Sequence, residues 1–336
     1  WGIVSLLGAG MSKIKVTFWG TRGSIPTSFT QADMTETLTN ALNAATPADV
    51  ATPEAVDAFV ASGCNGSTPI RFGGETTCVE FENAGGGRVI IDFGSGVRRF
   101  GAAMLGKVGP VADRPYQFLM SHMHWDHIQG FPFFVPAFIP GNQVKIAGCH
   151  PGDVIEGAVT GQFQPAVFPV PYQVLGADIS FTGLSPDEPF EMEGFRITPH
   201  LLNHGGGCYG YRFEYEGASV VYASDAEHKP EQINADYPYV KWAKDADALI
   251  FDAQYSLLES ISVKEDWGHS SNIVGVELAH IAGVKKLLLT HHEPLNTDAT
   301  LAEIVDKSVK YEELHRPKGA DKVEVVGAYD GLVVEA

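Results

Sequence analysis

Cationic side chains are scarce in this chain: 23 Lys and Arg stand against 41 Asp and Glu, leaving a formal charge of −18 over 336 residues. Proteins that grip duplex DNA or tRNA draw much of their affinity from cationic contacts to phosphate, so this balance argues against a long nucleic acid as partner. It leaves a small anionic ligand open, because bound cations can dominate a local field. Cysteine is scarce too. Cys64, Cys78, Cys149 and Cys208 form no C-x-x-C pair, which excludes a disulfide scaffold and reads as buried thiols in a reducing, cytoplasmic setting. No apolar run is long enough for a transmembrane helix, so no membrane partner is expected. Repeats, heptads and low-complexity linkers are also absent, which excludes a solenoid or coiled coil.

What is present suits a globular enzyme. Hydrophobic residues make up 44% of the chain, enough for a sizeable core. Residues 1–10 have a short apolar centre without a basic start, a poor signal peptide; they read as an upstream extension, leaving 11–336 as a single domain. Alternating or apolar runs bounded by Gly, Pro, Asp or Asn predict strands at 13–19, 77–81, 88–92, 116–120, 144–147, 195–198, 209–215, 219–223, 248–252 and 286–290. Helical spacing predicts helices over 271–282 and 299–314. This α/β pattern suggests two packed sheets with helices outside. Residues 28–70 interrupt it. Thr30 and Thr52 are N-cap candidates, with Met34, Leu38, Ala41 and Leu42, then Val56, Phe59 and Val60, on apolar faces. The segment reads as a two-helix insertion, serving as a packing appendage, a lid or a homodimer contact.

The densest chemical signal is Ser121-His122-Met123-His124-Trp125-Asp126-His127. In extended chain, side chains two apart point the same way, so His122 and His124 can reach one metal together. If the chain then turns, Asp126 and His127 face a second ion. Neutral imidazoles and a carboxylate suit Zn²⁺, with Mn²⁺ or Fe²⁺ as alternatives. One loop cannot satisfy two metals, so further ligands are expected at strand ends: His204 before a run of glycines, Asp225 after an apolar strand, and His291 after another. The set divides into His122, His124 and His204 on one ion, Asp126, His127 and His291 on the other, and Asp225 between them. Each ion keeps room for a shared water, as a catalytic site needs. Cys208 lies close enough in sequence to His204 to be weighed as a ligand but reads as structural.

The order H-x-H-x-D-H, then His204, Asp225 and His291, resembles the metallo-β-lactamase superfamily. Supporting segments are Phe18–Pro26 (FWGTRGSIP), Phe72–Cys78 (FGGETTC), Ile90–Gly96 (IIDFGSG), Ser224–His228 (SDAEH) and Trp267–Ser271 (WGHSS). They resemble the branch holding ribonuclease Z and cyclic-nucleotide-phosphodiesterase-like hydrolases, in order over about residues 13–334. The resemblance implies an αββα sandwich with metals at one edge of the sheets. It places the family's first-motif aspartate on Asp92, as an orienter of the ligand loop rather than a ligand. It also assigns His269 a place near the scissile phosphate; alone, that residue reads as a surface-turn histidine. His228 is either an orienter behind the ligands or an ordinary loop residue. His292 reads as structural or supporting. Most of 131–139 reads as core, with one or two rings left to wall a pocket.

The resemblance implies a dinuclear metal-dependent hydrolase, foremost a phosphodiesterase acting on small phosphodiesters or cyclic nucleotides, with Asp126 and His269 as catalytic groups. Asp at position 225, where several true β-lactamases carry Cys, favours phosphodiesters over antibiotics. The chain lacks the long basic, glycine-rich arm with which ribonuclease Z grips tRNA, which argues against tRNA processing. A lactone or thioester hydrolase on the same metals, and a mononuclear iron dioxygenase, are the competing readings; a non-catalytic metal-binding protein is the weakest.

Overall fold

The computed structural model describes residues 12–66, 71–186 and 188–336. The expectation for residues 1–10, and the end of the 28–70 segment at 67–70, lie outside the described residues. The strands are β1 (Ile14–Gly20), β2 (Cys78–Asn83), β3 (Arg88–Ile91), β4 (Tyr116–Met120), β5 (Gln143–Gly148), β6 (Asp178–Gly183) and β7 (Phe190–Met192). They continue as β8 (Phe195–Leu202), β9 (Cys208–Tyr215), β10 (Ala218–Ala223), β11 (Ala248–Asp252), β12 (Lys286–Thr290), β13 (Glu324–Gly327) and β14 (Val333–Glu335). They form two seven-stranded sheets, ordered β14-β1-β2-β3-β4-β5-β6 and β13-β12-β11-β10-β9-β8-β7.

Alternation sorts side chains into layers. Along β10, Val220 and Tyr222 face the other sheet while Val221 and Ala223 face outwards. Along β4, Leu119 faces inwards and Phe118 and Met120 outwards. Phe81 of β2 stacks on Phe213 of β9 across the central core, with ring centroids 4.0 Å apart. The helix Val97–Val108 covers the first sheet through Phe100 and Met104, and the helix Asn272–Ala282 covers the second through Val276 and Leu278. This is the expected αββα sandwich.

The strands missed in sequence are β6, β7, β13 and β14. Each is an edge strand or short: β6 is half exposed and lacks an apolar stripe, and β7 and β14 are three residues long. The helices Val97–Val108 and Gly152–Thr160 were also unforeseen, being interrupted by glycine. Helices do form over Gln31–Ala44 (α1) and Pro53–Ala61 (α2), capped by the Thr30 and Thr52 side chains. No side chain of α1 is buried, and Leu42 is 72% exposed. Phe131 and Phe134 are core, whereas Phe133 lies exposed against Phe168.

Candidate metal centre

The functional side chains gather where strands of both sheets end. After β4 the chain reaches His124, whose extended backbone occupies the N-cap position of the short helix Trp125–Ile128, and this turn carries Asp126 and His127 inwards. Asp92 follows β3, Asp225 follows β10 and His291 follows β12, each with φ between 58° and 64°. A non-glycine residue holds that left-handed conformation only where its surroundings fix it, a pattern concentrated at functional sites.

Ligand atoms of His122, His124 and His204 lie within 4.8 Å of one another, as do those of Asp126, His127, Asp225 and His291. Nε2 of His204 and Nδ1 of His124 are 2.9 Å apart. Oδ2 of Asp225 lies between the groups, 3.2 Å from His127 Nε2, 3.3 Å from His291 Nε2, 3.7 Å from His122 Nε2 and 3.8 Å from His204 Nε2. The seven residues expected to meet are therefore brought together, with Asp225 grouped with Asp126, His127 and His291 and also within reach of His204.

Nδ1 of three of these rings is occupied elsewhere. His127 Nδ1–H donates to Asp92 Oδ2 (2.7 Å), His204 Nδ1–H to the Gly268 carbonyl (2.8 Å) and His291 Nδ1–H to Gln254 Oε1 (3.0 Å). These partners fix the orientation of each ring and leave Nε2 facing the centre. The buried Nε2 atoms of His122 and His127 have no hydrogen-bond partner among the described residues. Asp92 also accepts from Ser121 N–H, the Ser121 hydroxyl and the Tyr222 hydroxyl, so it ties the ligand loop to the opposite sheet. Asp126 is held by the Ser24 N–H at 2.7 Å. A Cβ on Gly23 would strike the His291 ring, so glycine is required where this loop passes the centre.

Burial holds His122 well below its ordinary pKa, with His127 adding repulsion, and burial also lowers His124 and His204. Burial opposes charge on His127 and His291 as well, but there Asp225 and Asp126 prevail and raise both, His291 to about 9. Burial likewise works against ionisation of Asp126 and Asp225, yet the neighbouring His127 and His291 hold both well below the usual carboxylate range. Three neutral imidazoles thus adjoin two ionised carboxylates balanced by protons. Ring nitrogens of both sets converging on a shared carboxylate are, once metal displaces the protons of His127 and His291, a donor set that fits two borderline divalent ions.

A model of the beta-lactamase superfamily domain matches residues 88–292, more than half of the chain and all seven of these residues. The chain belongs to the beta-lactamase superfamily. Ribonuclease Z of Staphylococcus haemolyticus (strain JCSC1435) is 28% identical over 215 residues, spanning 51% of this chain and 68% of that protein. The metallo-beta-lactamase fold protein YhfI from Bacillus subtilis superposes with a TM-score of 0.61 at 18% identity, covering 97% of this chain and all of that one. A diphosphatase of the PhnP family gives a TM-score of 0.57 at 18% identity, covering 96% and 98%. Family and cluster agree on a hydrolase of the metallo-beta-lactamase fold, with ribonuclease Z among the proteins it is similar to. Matches named ribonuclease Z lend no support to the expectation that long nucleic acids are excluded. No helix among the described residues is long and apolar enough to cross a membrane.

Beside the superfamily centre, a ring nitrogen of His269 lies within 4.8 Å of ligand atoms of His204 and Asp225. His269 Nδ1–H donates to Asp252 Oδ2 at 2.7 Å. Asp252 went unnoticed in the sequence, as did Gln254. The signal was available: Asp252 ends an apolar run, Ala248–Asp252, just as Asp92 ends Arg88–Asp92. His228 is a correction. Its buried ring packs among Tyr237, Tyr239 and Phe251, with Nδ1 at the Tyr237 hydroxyl, and it belongs to none of the ligand groups. After Glu227 the chain turns away from the centre into this aromatic layer. His292 is structural, donating from Nε2 to the Ala328 carbonyl. Cys208 is buried with Sγ 3.6 Å from His122 Nδ1, backing that ring from its far side.

Proposed function

We propose that this protein is a dinuclear metal-dependent phosphodiesterase acting on small phosphodiesters. The observation that carries the reading is the Asp225 carboxylate, which stands between two imidazole sets with a candidate acid, His269, beside it. His122, His124 and His204 would hold one ion, Asp126, His127 and His291 the other, and Asp225 both. A divalent pair, Zn²⁺ or failing that Mn²⁺ or Fe²⁺, supplies Lewis-acid polarisation of phosphoryl oxygens and an acidified water nucleophile near neutral pH.

The protein's own groups supply aim and proton transfer. Asp92 and Gln254 hold the His127 and His291 rings so that Nε2 faces the reacting region. Ser24 N–H holds one oxygen of Asp126. Asp252 fixes the His269 ring through Nδ1, leaving Nε2 to pass a proton to the oxygen that leaves phosphorus. An acidic surface is compatible with an anionic substrate when fixed positive charge lies inside the site.

Turnover of bis(p-nitrophenyl) phosphate and cyclic AMP, compared with an acyl-homoserine lactone, a glutathione thioester and a precursor tRNA, tests this on protein loaded with Zn²⁺ or Mn²⁺. Phosphodiester hydrolysis abolished by a chelator is expected. Preferential cleavage of lactone, thioester or tRNA would replace the reading.

A further inference from the structure

Glu227 lies two residues beyond Asp225, is 4% exposed, and is no member of the ligand groups. Its carboxylate reaches a different segment of chain: Oε1 accepts from the Asp266 N–H at 3.1 Å and Oε2 from the Gly268 N–H at 3.0 Å. Lys229 braces the same carboxylate at 2.6 Å and spans to Asp266 at 2.7 Å. Through its backbone, Glu227 also binds a third segment, donating to the Asn203 carbonyl at 3.0 Å and accepting from the Asn203 side chain at 3.2 Å.

These segments carry His204, Asp225 and His269. The Gly268 peptide is the junction. Its N–H is held by Glu227, its carbonyl accepts from His204 Nδ1–H at 2.8 Å, and its next residue is His269. Gly268 has φ of 84°, and a Cβ there would collide with the His204 ring, so ring and peptide are in direct contact. A displaced Gly268 peptide would turn His204 and shift His269 together. A buried carboxylate on two backbone N–H groups is a strong, charge-assisted restraint, and its cost of burial is met by Lys229.

We propose that Glu227 is a positioning residue: braced by Lys229, it clamps the 266–269 loop and so aims His204 and His269 at the centre. It acts on geometry alone and touches no reacting atom. The proposal rests on the dinuclear reading above only for the roles of those two histidines.

The test compares Glu227→Ala, Glu227→Gln and Lys229→Met in the full chain. It measures metal affinity by competition with a chromophoric chelator, kcat and KM on bis(p-nitrophenyl) phosphate, and thermal unfolding. In Glu227→Ala, one of two bound Zn²⁺ ions is expected to weaken roughly 10- to 100-fold, with kcat falling by about the same factor and KM changing less than about 2-fold. Glu227→Gln keeps one acceptor and should fall between wild type and Ala; Lys229→Met should lose less than either. Should Glu227→Ala fail to fold, Glu227→Gln carries the same readouts. A folded variant with lowered melting temperature but both wild-type metal affinities and wild-type kcat would overturn the proposal, since a purely structural residue behaves so. If the wild-type protein binds two ions without cleaving the diester, the phosphodiesterase reading fails, while the selective loss of one ion still decides the role of Glu227.

Discussion

The two sheets share one pattern of strand directions, three antiparallel pairings followed by three parallel ones, yet they furnish the candidate metal centre differently. The first sheet concentrates His122, His124, Asp126 and His127 in one turn after β4, backed by Asp92 from the neighbouring strand end. The second spreads its groups singly: His204 beyond β8, Asp225 beyond β10, Asp252 at the end of β11 and His291 beyond β12. A local turn can place several donors through its own backbone hydrogen bonds. Groups one to a strand are placed by sheet register and by clamps such as Asp252 and Glu227. The second half therefore depends more on its packing than the first.

The largest expected effect lies where the halves meet. Asp225→Ala should cost both ions and roughly 10⁴-fold in kcat/KM, about 5 kcal/mol of lost transition-state stabilisation. Metal analysis alongside the kinetics checks this; retention of both ions would show that the halves do not share this carboxylate. His269→Ala should lower kcat roughly 10²- to 10³-fold with metal content unchanged, and loss of metal would make His269 a ligand instead. A matched pair then separates the two kinds of support. Asp92→Asn should weaken metal binding about 10- to 100-fold through His127, whereas Asp252→Asn should lower kcat by a similar factor with both ions retained. Identical phenotypes would erase the distinction drawn between the sheets.

Smaller effects probe the frame that holds the halves together. Phe81→Ala and Phe213→Ala should each cost about 3–5 kcal/mol of stability, and the double variant less than their sum, because each ring loses its stacking partner. Denaturant unfolding of the four proteins measures this. Leu42→Ser on exposed α1 should stay within about 0.5 kcal/mol; a larger loss would mean that this helix is covered in solution.

Much of the frame was legible because burial writes itself into short-range periodicity. β10 and β11, buried on both faces, appear as continuous apolar runs. The edge strands β6 and β7 carry no such run and escaped notice. The candidate ligands were legible for a different reason: imidazoles crowded into 122–127, and single acids or histidines placed after apolar strands, are uncommon for any other purpose. Asp252 follows that second rule and was overlooked only because no histidine stands beside it in sequence. His228 stands three residues beyond Asp225 yet packs away from the centre, and nothing in Ser224–His228 tells which side chains turn towards it.

The donor types on offer were thus determined by residue types alone, imidazole and carboxylate in a chain with an acidic balance. Which atoms meet was decided by tertiary structure. Asp92 and His127 are 35 residues apart, Asp126 and His291 165, and Glu227 and Gly268 41. No helical or strand period extends over such separations. Strand order within the first sheet brings Asp92 to His127, loops beside the second bring Glu227 to Gly268, and only the packing of one sheet on the other brings Asp126 to His291.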